Sequence, residues 1–170
     1  SLATRLAALP RTVITAAKRG VRAMGVEFNP DMVALSKKNA IAAGVTDKAT
    51  FVQGDIFETD FSKADVVTLF LLSSLNLRLR PTLLNMKPGT RVVANTFDMG
   101  EWEPDERVQN GADCSSFCSA MMWIVPAKVG GAWKMGKNEL TLNQEFQMLT
   151  GTVNAAPISN GKMHGAEISF

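Results

Sequence analysis

The chain has 170 residues, 46% of them apolar, which is enough for the core of one ordinary domain with a small appendage but not for two large domains. Its formal net charge of +2 gives no indication of a nucleic acid or an anionic membrane as partner. Two cysteines and a single histidine, His164, are too few for a zinc site, and no apolar run approaches the roughly 20 residues that span a bilayer. We therefore expect no metal site and no membrane span, with His164 as a solvated turn residue.

The first third of the chain alternates between helical and buried-strand patterns. The opening "SLATRLAALP" is interpreted as an amphipathic helix rather than the tail of a signal peptide. Residues 12–20 predict a short helix that ends at Gly20, and residues 21–28 predict a strand. Residues 29–44 then predict a helix with Asn29 as its N-cap and Pro30 as its first residue.

Three further strands are predicted at residues 49–55, 64–72 and 91–97. The second of them is apolar almost without alternation, as is typical of strands covered on both faces in a parallel sheet. A helical connection at residues 75–86, interrupted or restarted by Pro81, joins it to the third. This order predicts an α/β fold with a doubly wound, mostly parallel sheet.

The pattern changes after Phe97. Residues 98–116 are polar and rich in turn formers, which predicts a long surface connection. A hairpin around Gly130 and an antiparallel meander are predicted beyond it. We therefore divide the chain into an α/β domain at residues 1–112 and a C-terminal β hairpin and meander at residues 113–170. Cys114 and Cys118 are interpreted as an incidental pair of small buried residues with no assigned role.

Two acidic residues follow neighbouring predicted strands, at the sheet edge where open parallel sheets bind ligands. Glu27 ends the first of these strands, where a carboxylate can accept both hydroxyls of a ribose, although a plain surface carboxylate is equally compatible with the pattern. Asp55 ends the next strand and can accept the exocyclic amine of adenine. Gly54 allows the base to approach the backbone, and Ile56 offers an apolar cover for it. The pair predicts an adenosine site.

Three segments, "GVEFNPDMVALSKKNA", "ATFVQGDIFETDF" and "ADVVTLFLLSSLNLRLRPTLLNMKPGTRVVANTF", resemble class I S-adenosylmethionine-dependent methyltransferases in order and spacing. Within that superfamily they are similar to bacterial relatives of the non-SET histone-lysine methyltransferases and of mitochondrial lysine methyltransferases that modify an ATP-synthase subunit. The resemblance covers residues 12–97. It implies S-adenosylmethionine as the cofactor and residues 1–112 as the domain that binds it.

The resemblance also implies a role for individual residues. Glu27 would hold the ribose and Asp55 the adenine amine, with Phe28 and Ile56 on the two sides of the base. Residues 71–76 would flank the reactive methyl group, which places Leu71 in the cofactor site. Asn76 and Ser73 are the predicted catalytic residues, although Asn76 is equally compatible with a helix cap. The segment lacks the Asn/Asp-Pro-Pro-Tyr/Phe arrangement that marks methylation of adenine or glutamine nitrogens.

The chain departs from the family at its N-terminus. A central strand and a glycine-rich turn, Asp-x-Gly-x-Gly-x-Gly, should precede the first helix, and the first ten residues do not contain them. Either residues are missing between Pro10 and Arg11, or the protein has lost its cofactor loop. The first alternative predicts a break, with the Cα atoms of Pro10 and Arg11 well beyond the 3.8 Å of a trans peptide.

These observations predict a methyltransferase that moves a methyl group from S-adenosylmethionine to a nucleophile such as a protein lysine. The alternatives are an NAD(P)-dependent oxidoreductase and a degenerate methyltransferase fold that acts as a binding module. We expect a cytoplasmic location without excluding export, a protein substrate rather than a nucleic acid or a membrane, and homo-oligomers formed through the C-terminal strands.

Overall fold

The structure is a computed structural model that describes residues 5–6, 10–109, 111 and 114–170. Its first elements, in chain order, are β1 (Arg5–Leu6), α1 (Pro10–Lys18), β2 (Ala23–Glu27), α2 (Pro30–Ala42), β3 (Ala49–Gln53), β4 (Val66–Leu69), α3 (Ser73–Leu84) and β5 (Arg91–Asn95). They are followed by β6 (Glu106–Gln109), β7 (Ser119–Ile124), β8 (Gly131–Met135), β9 (Asn138–Glu145), β10 (Met148–Val153), β11 (Ala156–Pro157), β12 (Gly161–His164) and β13 (Glu167–Ser169). These strands form two sheets.

The first sheet has the strand order β3-β2-β1-β4-β5-β7-β6. Neighbouring strands from β3 to β5 are parallel, whereas β7 runs antiparallel to both β5 and β6. Glu27 at the end of β2 is level with Gln53 at the end of β3, so the segments that follow these two strands leave the same edge side by side. The predicted α/β class is confirmed, and the predicted strand-end acids lie at one edge.

The helices cover both faces of this sheet. Side chains alternate along β2, and Ala23 belongs to one apolar cluster while Val26 belongs to the other. Val13 of α1 and Val33 of α2 join the first cluster, and the second contains Leu79 and Leu83 of α3. Gly25 allows close packing on the first face, because an added Cβ would lie 2.7 Å from a ring atom of Phe51.

The local signals for α2 are confirmed, but those for α3 are not. The Asn29 side chain accepts a hydrogen bond from the amide of Asp31 at 2.9 Å, and Pro30 is the first helical residue. The prediction that Pro81 interrupts or restarts its helix is wrong, because α3 is continuous and contains Pro81. Pro81 is exposed and lies near the helix end, where water can satisfy the carbonyl that loses its partner.

The predicted break near the N-terminus is wrong. Helix α1 begins at Pro10 and runs through Arg11, so these two residues are consecutive in one helix. The position of the central strand is taken by β1, which is parallel to both β2 and β4. The predicted N-terminal helix is therefore wrong at Arg5–Leu6, and its other residues before Pro10 lie outside the described part of the chain.

Two predictions for the C-terminal half also need correction. The segment at residues 98–116 is more than a surface connection, because it contains β6 and buries Met99 and Trp102 completely. The hairpin around Gly130 does not form, since β7 pairs with β5 and β6 whereas β8 pairs with β9. The domain boundary at residue 112 stays a prediction, and the first sheet extends past it to β7.

The second sheet is the predicted antiparallel meander, with the order β13-β12-β10-β9-β8 and β11 beside β10. Gly151 has a φ of 148°, and an added Cβ there would lie 1.9 Å from the carbonyl oxygen of Thr141, so β9 and β10 approach closely only because this residue is glycine. Phe146, at the turn between β9 and β10, stacks on Trp102 with ring centroids 6.1 Å apart, which joins this sheet to the first.

Cys114 and Cys118 are bonded as a disulfide, so interpreting them as an incidental pair was wrong. Three residues lie between them in sequence, and the bond closes a short loop immediately before β7. His164 is exposed at the end of β12. In the described residues, no cluster of three or more histidine, cysteine or acidic side chains could hold a metal ion, and no helix there is long and apolar enough to cross a membrane.

Candidate functional site

A cavity of about 260 Å³ opens at the carboxyl edge of the first sheet, between the ends of β2, β3 and β4 and the first turns of α3. Ligand pockets usually measure about 300–1,000 Å³, so this cavity suits one part of a nucleotide-sized ligand rather than all of it. It is lined by Val26, Glu27, Phe28, Gly54, Asp55, Ile56, Phe57, Thr68, Leu69, Leu71, Leu75 and Arg78.

The two acids predicted at the strand ends are held in the same way. One oxygen of Glu27 accepts a hydrogen bond from the amide of Asn29 at 2.9 Å. One oxygen of Asp55 accepts from the amide of Phe57 at 2.8 Å. In each case the donor lies two residues further along the chain, which fixes the carboxylate without using its second oxygen. In the part of the chain that the structure describes, the second oxygen of each carboxylate has no hydrogen-bond donor. It can therefore accept a hydrogen bond from a ligand.

The apolar residues predicted to enclose an adenine, Phe28 and Ile56, both line this cavity. Phe28 is 77% exposed, an unusual exposure for a phenylalanine, and leaves its ring available to cover a planar group. Ile56 is half-buried, and Gly54 is fixed by its amide, which donates to the carbonyl of Glu27 at 3.0 Å. The structure brings six of the predicted residues, including Leu71, to one cavity; their binding roles stay predictions.

Helix α3 forms a further wall of the cavity. Leu75 on this wall lies within the predicted range 71–76, whereas Arg78, one turn later, lies outside it. The Arg78 guanidinium lies 3.8 Å from the ring centroid of Phe57, and both residues line the cavity. Arg78 could not be predicted from the sequence, because helical periodicity shows which residues share a face and not which face meets the sheet edge.

The two predicted catalytic residues do not line this cavity. Asn76 is completely buried, and its amide nitrogen donates to the carbonyls of Phe97 and Asp98 at 3.1 and 3.2 Å. The side chain thus ties α3 to the segment after β5, and its buried Oδ1 has no hydrogen-bond partner in the described residues, so a catalytic role for Asn76 stays a prediction. Ser73 is the first residue of α3 and is half-buried beyond the cavity lining.

Comparison with known proteins shows which family this chain belongs to. Residues 8–106, more than half of the chain, match the ANTKMT methyltransferase domain. The chain belongs to this family. It is thereby a class I methyltransferase domain, and the cofactor of such domains is S-adenosylmethionine.

Individual relatives agree on methyl transfer and differ in the named substrate. The domain is 43% identical over 106 residues to a protein-lysine N-methyltransferase of Saccharolobus islandicus, covering 59% of this chain and 66% of that protein. It is 36% identical over 104 residues to a mouse lysine N-methyltransferase that is named for a subunit of ATP synthase, covering 61% of this chain and 42% of that protein. The chain thus spans less than two thirds of the length of both relatives.

A solved structure titled as an RNA methyltransferase of Salinibacter ruber in complex with S-adenosyl-L-homocysteine is also similar. It has a TM-score of 0.66 and 43% identity, covering 74% of this chain and 81% of that one. A putative O-methyltransferase of Klebsiella pneumoniae, at 15% identity and a TM-score of 0.53, shares the fold alone.

The cavity of the methyltransferase domain fits the adenosine part of the cofactor. Its two carboxylates each keep an acceptor oxygen, as the ribose hydroxyls and the adenine amine require, and its remaining lining is largely apolar. The family's glycine turn would approach the methionine part. In this chain Ala7, Ala8 and Leu9 precede α1, without a glycine, and they lie outside the described residues.

Replacing Asp55 by alanine is expected to weaken S-adenosylhomocysteine binding by a factor of about ten or more, because a hydrogen bond to a charged acceptor, worth about 1.5 kcal/mol or more, is lost. The free energy of unfolding should change by less than about 1 kcal/mol, since only the bond to the Phe57 amide is removed from the fold. Calorimetric titration and urea unfolding measure the two quantities. Normal affinity in a folded variant would remove Asp55 from the site.

Proposed function

We propose that this chain transfers a methyl group from S-adenosylmethionine to lysine side chains of a protein. The observation that carries the proposal is the pair of strand-end carboxylates, Glu27 and Asp55, each fixed by a backbone amide and each facing the same cavity with an oxygen to spare. Helices on both faces of the parallel strands also support the doubly wound arrangement in which such edge sites form.

Bound S-adenosylmethionine supplies an already activated methyl group on a sulfonium sulfur. The residues of the chain therefore need only bind the cofactor, orient it and exclude water. Glu27 and Asp55 bind and orient the adenosine. Phe28 and Ile56 cover the base, and Leu71 excludes water from the end of β4, where the acceptor amine has to approach. The acceptor lysine loses its ammonium proton to solvent water before its nitrogen attacks the methyl carbon, and alignment and exclusion of water then account for the catalysis.

Charge favours a basic protein over RNA as the substrate. Residues 98–106 follow β5 and contain five acidic residues and no basic one. Asp98, Glu103 and Glu106 are exposed and have no salt bridge in the described residues. Glu101 pairs with Arg80, which lowers the pKa of that carboxyl, and Asp105 pairs with Lys162, so three of the five negative charges are uncompensated. A polyanion would be repelled by this segment, whereas a peptide rich in lysine would be attracted to it.

The test is transfer of radiolabelled methyl groups to two acceptor pools from one lysate, protein treated with ribonuclease and nucleic acid treated with protease. The proposal expects label in protein and methylated lysine after acid hydrolysis, with little label after Glu27→Ala. Label found only in RNA would contradict lysine as the methyl acceptor. Label in neither pool would contradict methyl transfer by this chain.

One sequence observation favours a second candidate. The absence of the glycine turn before α1 suits a domain that binds S-adenosylhomocysteine and a protein partner without transferring methyl groups. Cofactor binding in calorimetry without transfer in the assay would support this binding module. Family membership leaves the oxidoreductase alternative without support.

We also retain the predictions of a cytoplasmic location and of self-association through the C-terminal strands. The two ends of the second sheet, β8 and β13, are exposed at every residue, and Trp133 and Met135 are about half exposed on β8. Unpaired strand edges of this kind can join another chain. Sedimentation analysis over a range of concentrations measures whether they do.

A further inference from the structure

Three phenylalanines meet at the carboxyl edge of the first sheet. Phe70 directly follows β4, Phe97 follows β5 and Phe117 precedes β7. Phe70 and Phe117 meet edge to face with ring centroids 5.1 Å apart, and Phe97 lies 5.9 Å from Phe70 and 6.1 Å from Phe117. These distances are typical of attractive aromatic pairs, so the three rings form one cluster, the aromatic triad.

The backbone around the triad is strained and held in place. Phe117 has a φ of 55° and Thr96 a φ of 64°, which are uncommon for residues other than glycine. The side-chain amide of Asn95 donates to the carbonyl of Phe117 at 3.1 Å, and the Cys114–Cys118 disulfide closes the loop that carries Phe117. Strained backbone conformations that surrounding contacts hold in place are concentrated at ligand-binding sites and active sites.

The triad lies beside the cavity and is open to solvent. Leu69 and Leu71, the two neighbours of Phe70 in the chain, both line the cavity. Phe117 is 52% exposed, whereas Phe70 and Phe97 are half-buried. Phe97 is followed in the chain by Asp98, an exposed residue and the first of the acidic segment at 98–106. Through their chain neighbours, the residues of the triad therefore adjoin both the cavity lining and the acidic segment.

We propose that the aromatic triad binds the acceptor side chain, with Phe117 as the residue that determines specificity for an alkyl amine; this inference rests on the proposed function. Phenylalanine faces attract ammonium groups and their rings cover an aliphatic stem. The acidic segment attracts the cation to the protein, and the triad then selects the lysine side chain.

The test uses Nα-acetyl-L-lysine amide as the probe and protein with ¹³C-labelled phenylalanine rings, titrated with and without saturating S-adenosylhomocysteine. The ring resonances of Phe70, Phe97 and Phe117 should shift together on titration. Phe117→Ala should weaken probe binding about five- to tenfold and Phe117→Tyr should restore it, because tyrosine keeps the aromatic face. Phe170→Ala is the matched control, since Phe170 is also 52% exposed, and its affinity should stay within about twofold of the wild type.

Two results would overturn the inference. One is equal probe affinity in Phe117→Ala and Phe170→Ala, and the other is a set of ring shifts that omits the triad. S-adenosylhomocysteine affinity, measured on the same samples, should be unchanged in Phe117→Ala, which shows that the site is folded. If the wild type does not bind S-adenosylhomocysteine, that result contradicts the proposed function rather than the role of the triad. The two outcomes can therefore be distinguished.

Discussion

Replacing Trp123 by alanine is expected to lower the free energy of unfolding by about 3–5 kcal/mol, the usual cost of removing a buried tryptophan. Trp123 is completely buried in β7, and its indole N–H donates to the carbonyl of Trp102 at 2.6 Å. The two indole rings have centroids 6.1 Å apart, and Trp102 in turn stacks on Phe146 of the second sheet. The substitution leaves a cavity and removes the packing that links the two sheets.

Urea unfolding followed by circular dichroism measures this loss, and Trp133→Ala is the matched control. Trp133 is 51% exposed on β8, and within the described residues its indole N–H bonds only to the carbonyl of Val129, so removal of the side chain should cost about 1 kcal/mol or less. Equal losses for the two variants would show that the Trp102–Trp123–Phe146 stack does not support the fold.

Replacing Glu27 by alanine is expected to weaken S-adenosylmethionine binding by about 1.5–3 kcal/mol, or roughly 10- to 150-fold, because a charge-assisted contact to the ribose is lost. The amide of Asn29 already fixes one oxygen of this carboxylate, so the side chain is oriented before a ligand arrives. Little conformational entropy then remains to be lost on binding, which increases the effect of removing the residue.

Calorimetric titration with S-adenosylhomocysteine measures the change in affinity. Glu58→Ala is a suitable control, since Glu58 is exposed in the loop after β3 and does not line the cavity. Glu27→Gln keeps an oxygen for the Asn29 amide and removes only the charge, and should lie between the wild type and Glu27→Ala. An unchanged dissociation constant for Glu27→Ala would remove this residue from the cofactor site.

Features with a local cause could be predicted from the sequence. The start of α2 follows from Asn29 and Pro30, which act within one turn of the helix. The position of Glu27 follows from the end of an apolar run. The family resemblance then placed Phe28 and Leu71 in the site, and both line the cavity.

Features that depend on distant partners could not be predicted. Trp102 lies among acidic residues without periodicity, and its burial depends on Trp123 and Phe146, which are 21 and 44 residues away in sequence. The proposed hairpin failed for the same reason, because β7 finds its partner in β5 rather than in its neighbour β8. The burial of Asn76 could not be predicted either, because the sequence cannot show which side of α3 faces the segment after β5.

The central claim is that the cavity between Glu27 and Asp55 binds the adenosine of S-adenosylmethionine. A crystal structure of the chain with S-adenosylhomocysteine tests it most directly. We expect the ribose hydroxyls within hydrogen-bonding distance of the Glu27 carboxylate, the adenine amine at Asp55 and the base beside Phe28. An adenosine bound elsewhere on the chain, with this cavity holding only solvent, would contradict the claim.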